Sequence, residues 1–436
     1  MAIITVTGAS GTTLPVTVVG TANLALALDY ATAINNLRGN NLFAPSVTGA
    51  YSVASGTSNV FISNNTAQVT LMPDHPVTVM AGQGGTSLVT ASTGGVFIAG
   101  GGDNSFFAPT VGGGDWQVAT GNGNDNIAAG SGNDVLYPGG GSNRVSLGTG
   151  NDTVFLSGSS DTLMGGSGNA VVASRGSSVQ VYGGSGSTAF YDLGVNTQYV
   201  GASGASTVLM TGYGGSYTLS GPSTVTGGDG NDTITAVNAT ITVYGGTGNE
   251  KLIASGASRL NFISGSGATT VDGGASGTAA IFGAAGASIT YTTATAGNLV
   301  ALGGGSETVD AGTALAGVAF ATGSGSASLV GGAGADTFVF QSGSATVTGG
   351  AGANNFIFTA GQVGGGVRDL ITDFGSSAGN HVFLKGYGGG AVAQALASQT
   401  HSSSGTTITL SDNTTITFTG VTSLDATSFT LVNGGN

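Results

Sequence analysis

The chain has 436 residues, 84 of them Gly and none Cys, with 6% charged residues and a formal net charge of −13. Seven Lys and Arg are scattered along it and form no basic patch, which excludes nucleic acid as an expected partner. With no disulfide framework available, stability has to come from backbone ladders and from any metal the chain binds.

Met1 to Gly8 shows no basic region leading into an apolar stretch and a small-residue cleavage site, so a cleaved secretory signal is not expected. The most apolar stretch, Leu24 to Leu37, is broken by Asp29, Asn35 and Asn36 and is too short to span a bilayer, so no membrane span is expected. Ile3 to Val6 and Val16 to Val19 alternate as strands do. Asn23 to Leu37 places Leu24, Leu28, Ala31 and Leu37 near one helical face, with Gly39 as a stop. Residues 1–80 are therefore expected to form a small α+β cap over the N-terminal edge of the remaining chain. Within them, Asp74 stands beside His75. Such a pair could serve a lyase or epimerase, but flanked by Pro73 and Pro76 it reads as a solvated turn.

From Val111 to Thr218 the chain divides into twelve consecutive nine-residue units without insertion, and the eighth position of each is apolar, from Val118 and Ile127 to Val208 and Tyr217. At 40% hydrophobic residues, twelve such positions in a row arise by chance less than about once in ten thousand. The period is real. The clearest units are TGNGNDNIA (120–128), AGSGNDVLY (129–137) and LGTGNDTVF (147–155). Gly at positions two and four is expected to supply turn angles that a Cβ would penalise, and the last three residues leave room for one short strand. Two units make one coil, so residues eighteen apart stack at about 4.8 Å and the apolar positions form two facing columns. This register points Phe190, Tyr199 and Tyr217 inward as core and leaves Tyr182, Tyr191, Tyr213 and Tyr244 exposed as candidate sugar contacts.

Three further units fit from Ala81 to Phe107, before a three-residue insertion, Ala108-Pro109-Thr110. Downstream the unit returns as GGDGNDTIT (227–235), GGTGNEKLI (245–253), GGAGADTFV (331–339) and GGAGANNFI (349–357), while between about Ala254 and Leu329 the register drifts. Residues 81–366 read as one solenoid with defects.

These units resemble the RTX nonapeptide G-G-x-G-x-D-x-U-x, a calcium-binding β-helix repeat. Asp369-Leu-Ile-Thr-Asp-Phe374, with His381 to Leu384 and Thr406 to Phe418, is similar to the end of RTX proteins. There a D-x-I-x-D-F element closes the roll, the last strands cap it, and an uncleaved C-terminal signal directs type I secretion. The resemblance covers the chain from about residue 80 onward. It implies an all-β fold, a right-handed parallel β-roll, with residues 367–436 as a C-terminal β cap and secretion signal, and a secreted, extracellular or cell-surface location. The triplet Asp373-Phe374-Gly375 belongs to that cap and not to a kinase, whose other elements are missing.

The resemblance also implies calcium (Ca2+) between turns eighteen residues apart, held by the position-six side chains and turn carbonyls. Along one edge position six reads Asp125, Asn143, Asp161, Val179; along the other, Asp134, Asp152, Ala170, Thr188. Asp134 with Asp152 is a full carboxylate pair, and Asp125–Asn143 and Asn143–Asp161 are half-strength. Asp232–Glu250 and Asp336–Asn354 are further candidates. The competing reading is that these side chains only favour turn geometry.

Three His without an H-E-x-x-H and Gly-Ser-Gly strings without a nucleophile elbow point away from the catalytic domains of this family, so no enzyme is expected. Low charge, flat polar faces and two coil ends favour association of the chain with itself. The expected function is a secreted structural protein that self-assembles into a surface layer, filament or biofilm matrix, with cell-surface polysaccharide as a second candidate partner. The alternative is an adhesin or carbohydrate-binding protein. Ice binding by rows such as Thr149, Asn133 and Asn151 is a third.

Overall fold

In a strand every second side chain faces the same way, so a D-x-U ending directs positions six and eight to one side and position nine to the other. The computed structural model describes residues 2–7, 13–18, 24–25, 27–28, 31–32, 41–44, 49–53, 55–62, 69–90, 94–274, 278–292 and 297–432. It is a parallel β-solenoid built from such strands, in two units, residues 1–222 and 223–436.

In the N-terminal unit the strands Trp116–Ala119, Val135–Gly139, Asp152–Leu156, Ala170–Ser174, Thr188–Asp192 and Ser206–Met210 stack in parallel as a front sheet. The strands between them, from Asn126–Ala128 and Arg144–Ser146 to Tyr213–Leu219, form the back sheet. Val154 pairs with Val172 and Leu163 with Val181, the eighteen-residue register expected from the sequence. All twelve position-eight residues are buried, none more than 2% exposed. Phe190 stacks on Tyr199 at 5.2 Å, so these aromatics fill core as expected. Such a thin core tolerates loss poorly. Leu136→Ala should cost about 2–5 kcal/mol, and the outward-facing Thr153→Ala about 0.5 kcal/mol or less, measured by urea unfolding. The Ala108–Thr110 insertion is absorbed in one turn, since Ser87 pairs with Ser105 eighteen residues on but Ser105 with Asn126 twenty-one on.

The ladder also extends further upstream than the repeats show. Asn41–Ala44 pairs in parallel with Asn59–Ile62, and Gly49–Ser52 with Val69–Met72. At the N-terminus Ala2–Thr7 and Thr13–Val18 form the expected strands, as an antiparallel pair. Leu24, Ala25, Ala27, Leu28, Ala31 and Thr32 are helical. This element does not lie over a coil end. Ile4, Ala27 and Ala31 bury themselves against Met80, Val96, Ile98 and Ala119, outer-face residues of the front sheet, with Leu24 packed alongside. The inward helical face therefore runs through Leu24, Ala27 and Ala31, while Leu28 is 47% exposed; Leu37 lies outside the described residues.

In the C-terminal unit the ladder continues where the repeat drifts. Thr240 pairs with Arg259 and Arg259 with Thr278, nineteen residues apart, and Ala268 with Ser288, twenty apart. Phe338 stacks on Phe320 and Phe356 at 4.8 and 5.4 Å, and Phe340 on Phe358 at 4.2 Å, which replaces aliphatic packing with offset ring columns. At the D-x-I-x-D-F element, Arg368–Ile371 extends the back sheet and pairs onward with Thr415–Thr419. The Asp373 carboxylate accepts the N–H groups of Gly349 and Gly350 at 2.7 and 2.8 Å, and Phe374 packs between Phe356 and Phe418. The C-terminal segment beyond this element is not all strand, because Ala391–Ala397 forms a seven-residue helix.

Candidate metal centre

The turns are built by glycine for two reasons. Gly139 and Gly141, and Gly350 and Gly352, at positions two and four of their units, have the positive φ expected from the sequence. Gly148 and Gly150, at positions two and four, do not have positive φ. An added Cβ at either would instead collide with a backbone carbonyl of the turn below, Gly130 or Gly132 respectively. Close approach of successive turns, more than backbone angle, demands Gly here.

At the end of each such turn the position-six side chain points inward. Asp125, Asp134, Asn143, Asp152 and Asp161 are all buried. Their side chains form a ladder between coils, each oxygen accepting the peptide N–H of the position-six residue one coil earlier. Asp134 Oδ1 accepts from Trp116 N (2.8 Å), and Asp152 Oδ1 from Asp134 N (3.0 Å). On the other edge Asp125 accepts from Asn104 N, Asn143 from Asp125 N and Asp161 from Asn143 N, at 2.7, 2.9 and 2.8 Å. These bonds join residues eighteen to twenty-one apart in successive coils, so they are not the bonds within a turn that the competing reading assigns to Asp and Asn.

They leave a remainder. Asp125 Oδ2 and Asp134 Oδ2 are buried without a well-formed hydrogen bond, with Thr120 and the Gly130 N–H as weak donors beside the two carboxylates, whereas Asp161 Oδ2 accepts from Gly158 N at 3.0 Å. A buried carboxylate oxygen without a well-formed hydrogen bond is costly unless a proton or a cation meets it. Burial accordingly pushes Asp125 and Asp134 up to about 6, with the nearby Asp152 charge adding to the effect at Asp134. Burial also raises Asp152 and Asp161, opposed by the N–H groups they accept. Among the described residues no three His, Asp or Glu side chains come together. A hard cation in these turns would draw most of its oxygens from backbone carbonyls, with one carboxylate per coil.

The other candidates differ. Asp232 and Glu250 are buried register partners, but Glu250 accepts from Gly246 N (2.8 Å) with one oxygen and from Thr269 Oγ1 (3.1 Å) with the other. Asp336 is likewise satisfied, by Val318 N (2.7 Å) and Gly332 N (2.9 Å), and burial pushes it up to about 6. Asn354 Oδ1 accepts from Asp336 N, and the Asn354 peptide N–H donates to Asn380 Oδ1, both at 2.9 Å, so the ladder runs on into the C-terminal segment.

Several position-six residues escaped the sequence reading. Asn104 starts one edge of the ladder, and Asp369 Oδ1 accepts from Ala345 N at 2.8 Å while its Oδ2 is buried unpaired, so burial pushes Asp369 up to about 7. Glu307 is buried without a well-formed hydrogen bond to its carboxylate, the Gly286 N–H being a weak donor beside it, and burial raises its pKa. Each stands two residues before a core residue, Phe106, Ile371 and Val309 respectively, and that spacing was the available signal. Asp192 was also missed. It accepts from Gly194 N, Thr197 Oγ1 and the hydroxyl of Tyr217, the last at 2.6 Å.

The family model of the RTX calcium-binding nonapeptide repeat matches the chain in four copies, over residues 112–145, 119–154, 137–172 and 217–236. The chain carries RTX calcium-binding nonapeptide repeats. The matched RTX segments contain Asp125, Asp134, Asn143, Asp152, Asp161 and Asp232, and leave Glu250, Asp336 and Asn354 outside. No curated protein and no solved structure matches the chain. RTX proteins are typically secreted, and among the described residues no helix is long and apolar enough to cross a membrane.

Of the residues considered for other chemistry, His75 has both ring nitrogens engaged, Nδ1 with Asp74 (2.7 Å) and Nε2 with the Thr57 carbonyl (2.8 Å). Those two hydrogen bonds raise its pKa and leave no free lone pair for a base. Tyr182 and Tyr213 lie on the back sheet and Tyr191 on the front sheet, so these candidate sugar contacts do not share one platform.

Proposed function

We propose that this is a secreted, non-enzymatic structural protein whose RTX turns hold calcium, and that the completed roll self-assembles outside the cell into a surface layer, filament or matrix. The observation that carries this reading is the pair of buried oxygens without a well-formed hydrogen bond, Asp125 Oδ2 and Asp134 Oδ2, within the matched repeats. Asp125, Asn143 and Asp161 on one edge and Asp134 and Asp152 on the other would hold the ions, each keeping one oxygen on the ladder. When bound, calcium supplies positive charge that offsets the desolvation of these carboxylates. The chain's own contribution is to fix the carboxylates by those N–H bonds and to exclude water from them. Self-assembly is supported by a chain that is ladder for most of its length and sparsely charged.

The test uses the single Trp of the chain, Trp116, buried and donating its peptide N–H to Asp134. Calcium titration should change its fluorescence with a midpoint on the order of 10⁻⁴ to 10⁻³ M, and sedimentation should show polymer only with calcium. Replacing Asp134 and Asp152 together by Ala should remove the transition. A calcium-independent Trp116 signal would defeat the metal role, and a chain that stays monomeric with calcium would defeat the assembly role.

A further inference from the structure

Position nine points outward, and on the front sheet of the C-terminal unit it forms a stripe. Tyr244, Ile263 and Phe282 are in register on adjacent strands and are 44%, 40% and 43% exposed. After two alanines the stripe continues through Val339, Ile357 and Phe383. Eight strands at about 4.8 Å give it a length of about 34 Å, with no charged side chain in it. Tyr244, Ile263 and Phe282 are its exposed part and the other five residues are half-buried, and adjacent exposed apolar side chains of this kind mark an interaction surface.

The N-terminal unit shows what such positions accept. There the corresponding outward residues Met80, Ile98 and Ala119 are covered by the chain's own hairpin and helix through Ile4, Ala27 and Ala31. The covering element leaves two large apolar side chains outward, Ile3 69% and Leu28 47% exposed. Two copies that each carry −13 repel least where uncharged surfaces meet. We propose that Ile3 and Leu28 of one copy dock on the Tyr244–Ile263–Phe282 stripe of a second copy. The two patches differ, so each copy offers one of each and the contact can pass from copy to copy as a self-assembling chain requires, whereas stripe-to-stripe pairing would close as a dimer. This inference rests on the self-assembly reading and names its contact.

The test uses the full chain in calcium with Leu28→Asp or Ile263→Asp. Both residues are exposed, so the fold should survive, as Trp116 fluorescence would verify. Each substitution alone should weaken polymer formation by about 100-fold, because a charge is forced into an apolar contact. Mixed in equal amounts, the two variants should form one-to-one dimers and stop, since one keeps its stripe and the other its N-terminal element. Dimers of Leu28→Asp alone would overturn the proposal in favour of stripe pairing. Undiminished polymer from both variants would overturn the contact and leave self-assembly standing, while an unaltered chain that never polymerises would overturn both.

Discussion

Gly150→Ala is expected to unfold the coils around it. The new Cβ would fall on the Gly132 carbonyl oxygen, which belongs to the backbone of the turn beneath and cannot rotate away. The successive turns would have to separate, breaking the bonds by which Asp152 Oδ1 holds Asp134 N and Asp134 Oδ1 holds Trp116 N. A loss of about 4 kcal/mol or more is expected in urea unfolding, the range reached when strain and buried polar groups combine. Gly389 is the control. A Cβ there meets nothing within 4 Å, and Gly389→Ala should change stability by about 0.5 kcal/mol or less.

The second large effect is a reversal of pH dependence by calcium. Asp125, Asp134 and Asp336 have an ordinary value of 3.8 and sit at about 6 in the folded chain, raised mainly by burial. Their folded pKa values exceed their unfolded ones. Without calcium their contribution is therefore fully present below about 3.8 and is lost as pH rises through about 6, and for Asp369 through about 7. A shift from 3.8 to about 6 corresponds to about 3 kcal/mol per carboxylate. In chelator the roll should melt several degrees higher at mildly acidic pH than above neutrality. With saturating calcium the ionised form is the stabilised one at Asp125 and Asp134, so the order should invert. Thermal melts at the two pH values, with calcium and with chelator, check this. Parallel pH profiles in the two conditions would contradict it.

Much of this architecture was legible because the nine-residue period has no insertion between Val111 and Thr218, so every position-eight core residue from Val118 to Tyr217 could be placed, though not Leu156, Val179 or Met210, which are also buried. The same alternation implies that Asp134, two residues before Leu136, faces inward with it. Reading Asp134 as a turn residue obscured that. Between Ala254 and Leu329 the coils are nineteen or twenty residues long, which hid Glu307 although it stands at the same spacing before Val309. Between Asn41 and Ala81 the paired strands are eighteen to twenty residues apart and the sequence between them has few glycines, so only the backbone pairing, as of Asn41–Ala44 with Asn59–Ile62, shows the ladder there. The helical face was misjudged at Leu28 because the docking surface of Met80, Val96 and Ile98 admits small side chains such as Ala27 and Ala31. The oxygens of Asp125 and Asp134 differ from Asp161 Oδ2 because the Asp161 unit, LSGSSDTLM, has Gly158 at position three, where the other two units have Asn122 and Ser131, and it is the Gly158 N–H that pairs with Asp161 Oδ2.

The most direct measurement is native-state hydrogen exchange above neutral pH, comparing calcium with chelator at the amides of Leu136 and Val154, the core residues two positions after Asp134 and Asp152. If calcium completes these turns, chelation should lower protection at both by about tenfold or more, and before it loosens the coils after Ala170 that lack position-six carboxylates. Equal protection at Leu136 and Val154 in the two conditions would mean that the side-chain ladder alone holds the turns and that calcium has no structural part in this roll.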